Sequence, residues 1–319
     1  MLRWSLRILA AFVALIVLAI GAIYLWPLGS DRLTHADAAT LSFPDAQARA
    51  AQEVTRDTGD ATVQPECRTK ALLHEKRTPK AVLMLHGYTD CPVQFGALAQ
   101  LYYDRGYNVF VPRAPRHGVT DLNAHTGLHA DELVDYADDA LTVTTGLGDE
   151  VGVVGISGGG VLATWLADYR PDAVKHLLTL SPFYAPAASQ APSWQIKPLM
   201  VLYGNRLLPD HINSQGFSYA ALSQYLRIAR NYPKNPRNAS LKSVAVVTSA
   251  GDTYINLARA TEIPGDLATA NGLKLAAYEI PRSFDVGHDT ADPAGLGTHA
   301  AELQRAYLDL YEGRTPALP

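Results

Sequence analysis

From residue 81 onward the chain alternates short apolar runs with longer amphipathic segments, and this alternation restricts its fold more than any other feature. Residues 81–85, 107–111, 151–156, 176–180, 244–248 and 273–280 each read as a strand. Apolar runs with little polar alternation suit strands buried on both faces. Between them, Phe95, Leu98 and Tyr102, then Leu133, Tyr136, Ala140 and Leu141, then Leu162, Trp165, Leu166 and Tyr169 recur at helical spacing. A helix near residues 256–269 precedes the last strand, and Leu303, Ala306, Tyr307 and Leu310 predict a final helix after it. Strands alternating with such helices build βαβ units and a mostly parallel sheet, so the expected class is α/β.

The alternation fails twice. Residues 183–243 carry prolines and scattered aromatics without a clear strand, which predicts an insertion, a cap or lid over the carboxyl edge of the sheet. Before residue 65 the pattern is different again. Residues 6–26 are apolar apart from Arg7, and a helix of about 20 residues spans a hydrocarbon core of about 30 Å. Arg3 and Arg7 before it and Asp31 after it orient the chain outward, with Trp4 and Trp26 at the two interfaces. Residues 1–28 are therefore expected to be a membrane anchor and the rest an extracytoplasmic domain. A cleaved signal peptide is the alternative, with small residues at Ala19, Gly21 and Ala22, although the apolar run is long for one. Residues 29–64, rich in Ala, Asp and Thr with a weak helical pattern, read as a spacer, and 65–319 as the domain proper.

Cys67 and Cys91 flank the same predicted strand; in an oxidising compartment they can form a disulfide, and otherwise they are two thiols. Two cysteines alone do not make a metal site. The net charge of −4 comes without a clustered basic stretch, which excludes a nucleic-acid partner. Asn238-Ala239-Ser240 fits a glycosylation acceptor.

Gly155-Ile156-Ser157-Gly158-Gly159 fits G-x-S-x-G at a strand-to-helix junction, where a nucleophile elbow requires it. A glycine-rich phosphate turn is the competing reading, but the Lys-Ser/Thr ending of a P-loop and the dinucleotide spacing are absent. A serine at its ordinary pKa needs a base within hydrogen-bond reach. His288 follows the last strand at the carboxyl edge, with His86, His117 and His125 on earlier loops as second choices. Asp252, just after the strand at 244–248, gives the order Ser, Asp, His; its alternative is a turn or N-cap residue. Asp285, Asp289 and Asp292 lie close to His288 along the chain and are weaker candidates for orienting it. The amides of Gly158 and Tyr88 are the expected oxyanion donors.

Together, Leu85-His86-Gly87-Tyr88, the Ser157 pentapeptide, Gly251-Asp252 and Gly287-His288 resemble the α/β-hydrolase superfamily over residues 67–311. The chain is most similar to its monoacylglycerol lipase, lysophospholipase and carboxylesterase branch. That resemblance implies the triad Ser157, Asp252 and His288, the oxyanion amides of Tyr88 and Gly158, a cap, and no metal or organic cofactor. It departs at Ile156, where many relatives carry His, and at Arg116-His117-Gly118, where Gly-His-Gly is frequent. The expected function is hydrolysis of a small-molecule carboxylic ester at a membrane, with lipid-derived esters as the narrower expectation. A thioesterase or peptidase on the same triad and a silent ligand-binding scaffold are the alternatives.

Overall fold

The computed structural model describes residues 2–317 and arranges them around a seven-stranded sheet. The strands are β1 (Lys70–Leu72), β2 (Thr78–Leu85), β3 (Tyr107–Val111), β4 (Gly148–Ile156), β5 (Val174–Leu180), β6 (Ser243–Ser249) and β7 (Ala276–Ile280), in the order β1-β3-β2-β4-β5-β6-β7. All pairings are parallel except β1 with β3. The sequence gives no sign of β1, which has only three half-buried residues at the sheet edge and no apolar run to mark it.

The helices are α1 (Leu2–Leu25), α2 (Phe43–Gly59), α3 (Gly96–Asp104), α4 (Ala130–Leu147), α5 (Gly158–Tyr169), α6 (Ser193–Leu202), α7 (Tyr219–Arg230), α8 (Leu257–Ala270), α9 (Pro293–Leu296) and α10 (Ala300–Tyr311). Strand side chains alternate between the sheet's two faces. Ala81, Leu83 and Leu85 of β2 enter the core covered by α2, α4, α5 and α8, whereas Val82 and Met84 enter the one covered by α3 and α10. The expected mostly parallel sheet with helices on both faces is therefore present.

Two regions differ from the sequence reading. Residues 29–64 are not a free spacer. Leu33 is fully buried and its carbonyl accepts a hydrogen bond from Trp165 Nε1 at 2.8 Å. Helix α2 packs on α4 through a stripe of alanines, Ala46 and Ala50, so close that a Cβ added at Gly146 would lie 2.5 Å from Ala46 Cβ. Its last turn is tied down by Asp57, fully buried, which pairs with Arg113 at 2.8 Å and accepts from the Thr69 amide and hydroxyl. Those contacts hold the carboxyl of Asp57 below its usual range even though burial, the largest influence, pushes it up. Asn238 is also fully buried, donating from Nδ2 to the carbonyls of Ala167 and Val174, and so cannot receive a glycan in the folded chain.

Residues 181–242 lie between β5 and β6 and contain α6 and α7. Helix α1 is exposed over most of its length, with Ile23 near its end packed against the core, and is long and apolar enough to cross a membrane by length and composition.

Candidate active site

Ser157 sits between β4 and α5 with φ 52° and ψ −116°, a left-handed backbone that costs a non-glycine residue energy. The turn holds it there by three backbone hydrogen bonds. The Ser157 amide donates to Leu180 O at 2.9 Å, and its carbonyl accepts from Val161 N and Phe183 N. So tight a turn leaves no room for side chains around it. A Cβ at Gly155 would lie 2.2 Å from Gly159 O, and one at Gly159 would lie 1.9 Å from Leu85 O. The spacing of the pentapeptide is thus a packing requirement.

His288 comes from the loop after β7. Its Nε2 lies 2.9 Å from Ser157 Oγ and its Nδ1 2.7 Å from Asp252 Oδ2. Because an ionised carboxylate only accepts, Nδ1 carries the proton and Nε2 accepts from the serine. The side chain of Asp252 is fully buried and that of His288 is 23% exposed. Asp252 is also a turn residue, since its Oδ1 accepts from the amides of Tyr254 and Ile255. Asp252 thus meets His288 with one oxygen and serves its own turn with the other. The two loops are pinned together by Ser249 Oγ, which donates to Val286 O at 2.5 Å.

The other candidates are occupied elsewhere. Asp289 accepts from the amides of Ala291 and Asp292, Asp292 caps α9, and Asp285 is an exposed residue in a left-handed turn. His86 donates from Nδ1 to Gly87 O and accepts at Nε2 from the Ala114 amide, bracing the loop after β2. Burial pushes its pKa down to about 3 and that of His117 to about 4, so both rings stay neutral. His117 and His125 pack edge-on against the Tyr88 ring.

Tyr88 and Gly158 flank the serine on the loop after β2 and at the first position of α5. A first-turn amide has no acceptor within its own helix, which leaves Gly158 N available for an oxyanion. Gln94 Oε1 fixes the Tyr88 loop by accepting from Gly87 N at 2.8 Å. The phenol of Tyr88 points away, accepting from the Ser218 amide at 3.1 Å just before α7, and burial raises its pKa. Cys91, three residues on, is joined to Cys67 by a disulfide.

A cavity of about 440 Å³ opens over Ser157. One wall is apolar, built from Phe183, Leu199, Phe217, Leu222, Leu226 and Tyr254, mostly from the insertion. Thr89, Asp90, Gln94 and Asp289 from the sheet rim give the cavity a polar part, to which Gln195 and Asn213 of the insertion add. Burial, reinforced by the charges of Asp289 and Asp292, pushes the Asp90 carboxyl up to about 6 against its bond from the Cys91 amide. The sequence reading did not single out Asp90. Its signal was its place two residues after the predicted oxyanion donor. Among the described residues no group of three or more His, Cys, Asp or Glu side chains is placed to hold a metal ion.

A family model described as serine aminopeptidase, S33, matches residues 76–264. A thermostable monoacylglycerol lipase from Bacillus sp. (strain H-257) is 33% identical over 100 residues, which cover 30% of this chain and 37% of that protein. The match thus spans little more than a third of that relative's length. Among solved structures, one reported with the metagenome-derived lipolytic enzymes LipS and LipT has a TM-score of 0.60 at 18% identity, covering 79% of this chain and 100% of that one. The monoacylglycerol lipase of Paleococcus ferrophilus gives 0.57 at 16%, covering 77% and 98%. A soluble variant of the Saccharomyces cerevisiae monoglyceride lipase, solved with a substrate analogue, gives 0.52 at 10%, covering 76% and 91%. At these identities the likeness to solved structures establishes the α/β-hydrolase fold and nothing finer.

Proposed function

This chain belongs to the serine aminopeptidase (S33) family, and we propose that it is a serine hydrolase of carboxylic esters, acting on lipid-derived monoesters from a membrane anchor. The observation that carries the reading is the unbroken chain Ser157 Oγ, His288 Nε2, His288 Nδ1, Asp252 Oδ2, with contacts of 2.9 and 2.7 Å. His288 takes the serine proton as Oγ attacks the ester carbonyl, and Asp252 stabilises the imidazolium. The amides of Tyr88 and Gly158 hold the oxyanion, His288 returns the proton to the departing alcohol, and water then repeats the cycle on the acyl-enzyme. The apolar wall suits the acyl chain and the polar wall the alcohol. A cavity of this size is of the order that takes a small organic ligand, about 300–1,000 Å³.

The end of α1 and the residues that follow it are held against the insertion. Tyr24, Trp26 and Leu28 are hydrogen-bonded to the insertion, which acts as the cap of the cavity. All three lie beyond Ala19, Gly21 and Ala22, so a cut there would leave these contacts in place, and the uncleaved anchor rests on the length of the apolar run. By the positive-inside rule, Arg3 and Arg7 support a catalytic domain outside the cytoplasm.

A second reading, amide hydrolysis on the same triad, is favoured by the description of the family and by the acidic wall at Asp90 and Asp289, which offers acceptors to an ammonium group. Nitrophenyl esters of graded chain length, assayed beside aminoacyl nitroanilides, separate the two. We expect the esters to be the better substrates and Ser157→Ala to lower kcat by about 10⁴-fold or more with the fold retained. Faster turnover of the anilides overturns the ester reading, and an undiminished Ser157→Ala enzyme overturns the triad.

A further inference from the structure

Helix α6 has two occupied faces. Gln195 and Leu199, one helical turn apart, look into the cavity. Trp194 and Lys197, three residues apart on another face, meet the end of α1. Tyr24 Oη donates to Trp194 O at 2.6 Å, and Lys197 Nζ donates to Trp26 O at 2.7 Å. Helix α7 repeats the arrangement. Leu222, Ser223 and Leu226 line the cavity, while Arg227 Nε and Asn231 Nδ2 both donate to Leu28 O, at 3.4 and 3.3 Å. The first turns of chain beyond α1 are thus held by both cap helices, with no length of free linker between the anchor and the cavity wall.

The depth of the cap follows from this. A helix of 24 residues is about 36 Å long, enough to carry Tyr24 and Trp26 to the aromatic belt of the outer interface. Trp194 is bonded through its backbone to Tyr24 and so lies at the same level, yet its indole is 64% exposed. Leu207, Leu208 and Ile212, past the other end of α6, are 52%, 43% and 40% exposed. An indole with an apolar body and a single polar N–H is at home in the headgroup boundary rather than in water.

Resting on the anchor reading above, we propose that α1 clamps the cap onto the bilayer, so that Trp194 and the apolar residues beyond α6 sit in the outer leaflet of a phospholipid membrane and the cavity is loaded from that leaflet. Trp194 is then a docking residue, and Tyr24 and Lys197 are positioning residues that act through α6. None of the three lines the cavity.

The test uses the full chain in phosphatidylcholine vesicles, with and without acyl chains brominated near the headgroup. The emission quenched in the wild type but not in Trp194→Phe isolates Trp194 from Trp4 and Trp26, and a conservative change at so exposed a ring leaves the fold intact. We expect Trp194 to be quenched. Quenching confined to the anchor tryptophans overturns the docking while leaving the anchor in place. Failure of the chain to float with vesicles overturns the anchor, and the docking with it. The second arm joins Tyr24→Phe to Lys197→Ala. The double variant should hydrolyse a water-soluble nitrophenyl ester at the wild-type rate and a long-chain ester dissolved in the bilayer about tenfold more slowly, the loss expected when a tethered cavity is no longer held at its source. An unchanged ratio of the two rates overturns the clamp. Absence of any turnover overturns the hydrolase reading, and the quenching arm still decides the docking because it needs none.

Discussion

The turn that holds Ser157 and the insertion that faces it share one cavity but are built in opposite ways. Beneath the serine the turn is packed largely by backbone: β2 lies against Gly159, α5 against Gly155, and the ends of β5 and β6 fix the loops on either side. The insertion is joined by backbone only at its base, where Ala187 N donates to Tyr254 O and Asn256 N to Ala185 O, and its outer part by side chains, such as the Tyr88 phenol on Ser218 N, Asp210 on the Ser218 hydroxyl, and Arg206 on the carbonyls of Thr126 and Leu128. Backbone contacts fix a hydroxyl and an imidazole to within tenths of an ångström, as proton transfer demands. The outer of these contacts, such as Arg206 on the Thr126 carbonyl, are exposed and break and reform at little cost, which suits a wall that must admit substrate.

A matched pair of glycine substitutions puts that contrast at risk. Gly159→Ala drives a methyl group to 1.9 Å from the Leu85 carbonyl, backbone that cannot move without shifting β2. The expected loss is more than about 4 kcal/mol, the size reserved for insults with no route of relief. Gly216→Ala in the insertion meets no atom within 4 Å but must adopt φ 83°. There the cost should be about 1 to 2 kcal/mol, that of an alanine in the left-handed region. Chemical denaturation of the full chain in detergent measures both. Equal losses would mean that the two regions are equally rigid.

The same contrast explains what the sequence disclosed. Each long strand is a run that only a doubly covered sheet tolerates, and Ser157, Asp252 and His288, the residues of the proposed triad, sit on loops whose edge is fixed by strand polarity, so their meeting within hydrogen-bond reach could be expected before any coordinates. Strand β1 could not, because Lys70, Ala71 and Leu72 take their conformation from pairing with Val111, Phe110 and Val109 rather than from their own pattern. Helix α2 was misjudged because its buried stripe is alanine, which packs closely against Gly146 but contributes little apolar signal. Helix α6 is disguised by Pro198 in its interior. Helix α7 had a readable pattern, with Ser218 as its N-cap and Ala221, Tyr225 and Ile228 recurring behind it, and was passed over among the prolines that surround it.

The disulfide lies on the border between the two kinds of construction. It ties Cys91, on the loop of the proposed oxyanion donor Tyr88, to Cys67 beside the N-terminal layer, and Gly118 fits against both with φ 63°. Closing a loop with a sequence separation of 24 stabilises by roughly 3 to 4 kcal/mol on the chain-entropy argument. Cys67→Ala with Cys91→Ala should lose about that much in denaturation. If the disulfide also holds the Tyr88 loop in place, kcat falls in the pair of substitutions before the fold is lost. A variant with full kcat and reduced stability assigns the bridge to the fold alone.

The smallest effect concerns the polar wall. Asp90 keeps its proton to about pH 6 in the folded chain, chiefly through burial, while an unfolded aspartate loses it near 4. Between those values the folded state binds more protons than the unfolded one. Stability from this group is therefore full below about pH 4 and declines as pH rises through 6, after which the loss is constant. Asp90→Asn removes the charge and retains an oxygen for the Cys91 amide. It should match the wild type at pH 4 and exceed it at pH 8 by an amount on the order of 2 kcal/mol. The difference between the two proteins cancels every other titrating group, so a gap that does not change between pH 4 and 8 would show that Asp90 is hydrated and charged throughout. In that case the rim is as open to water on its polar side as the insertion is on its outer one, and the contrast between a rigid rim and a yielding wall holds for the serine but not for the loop beside it.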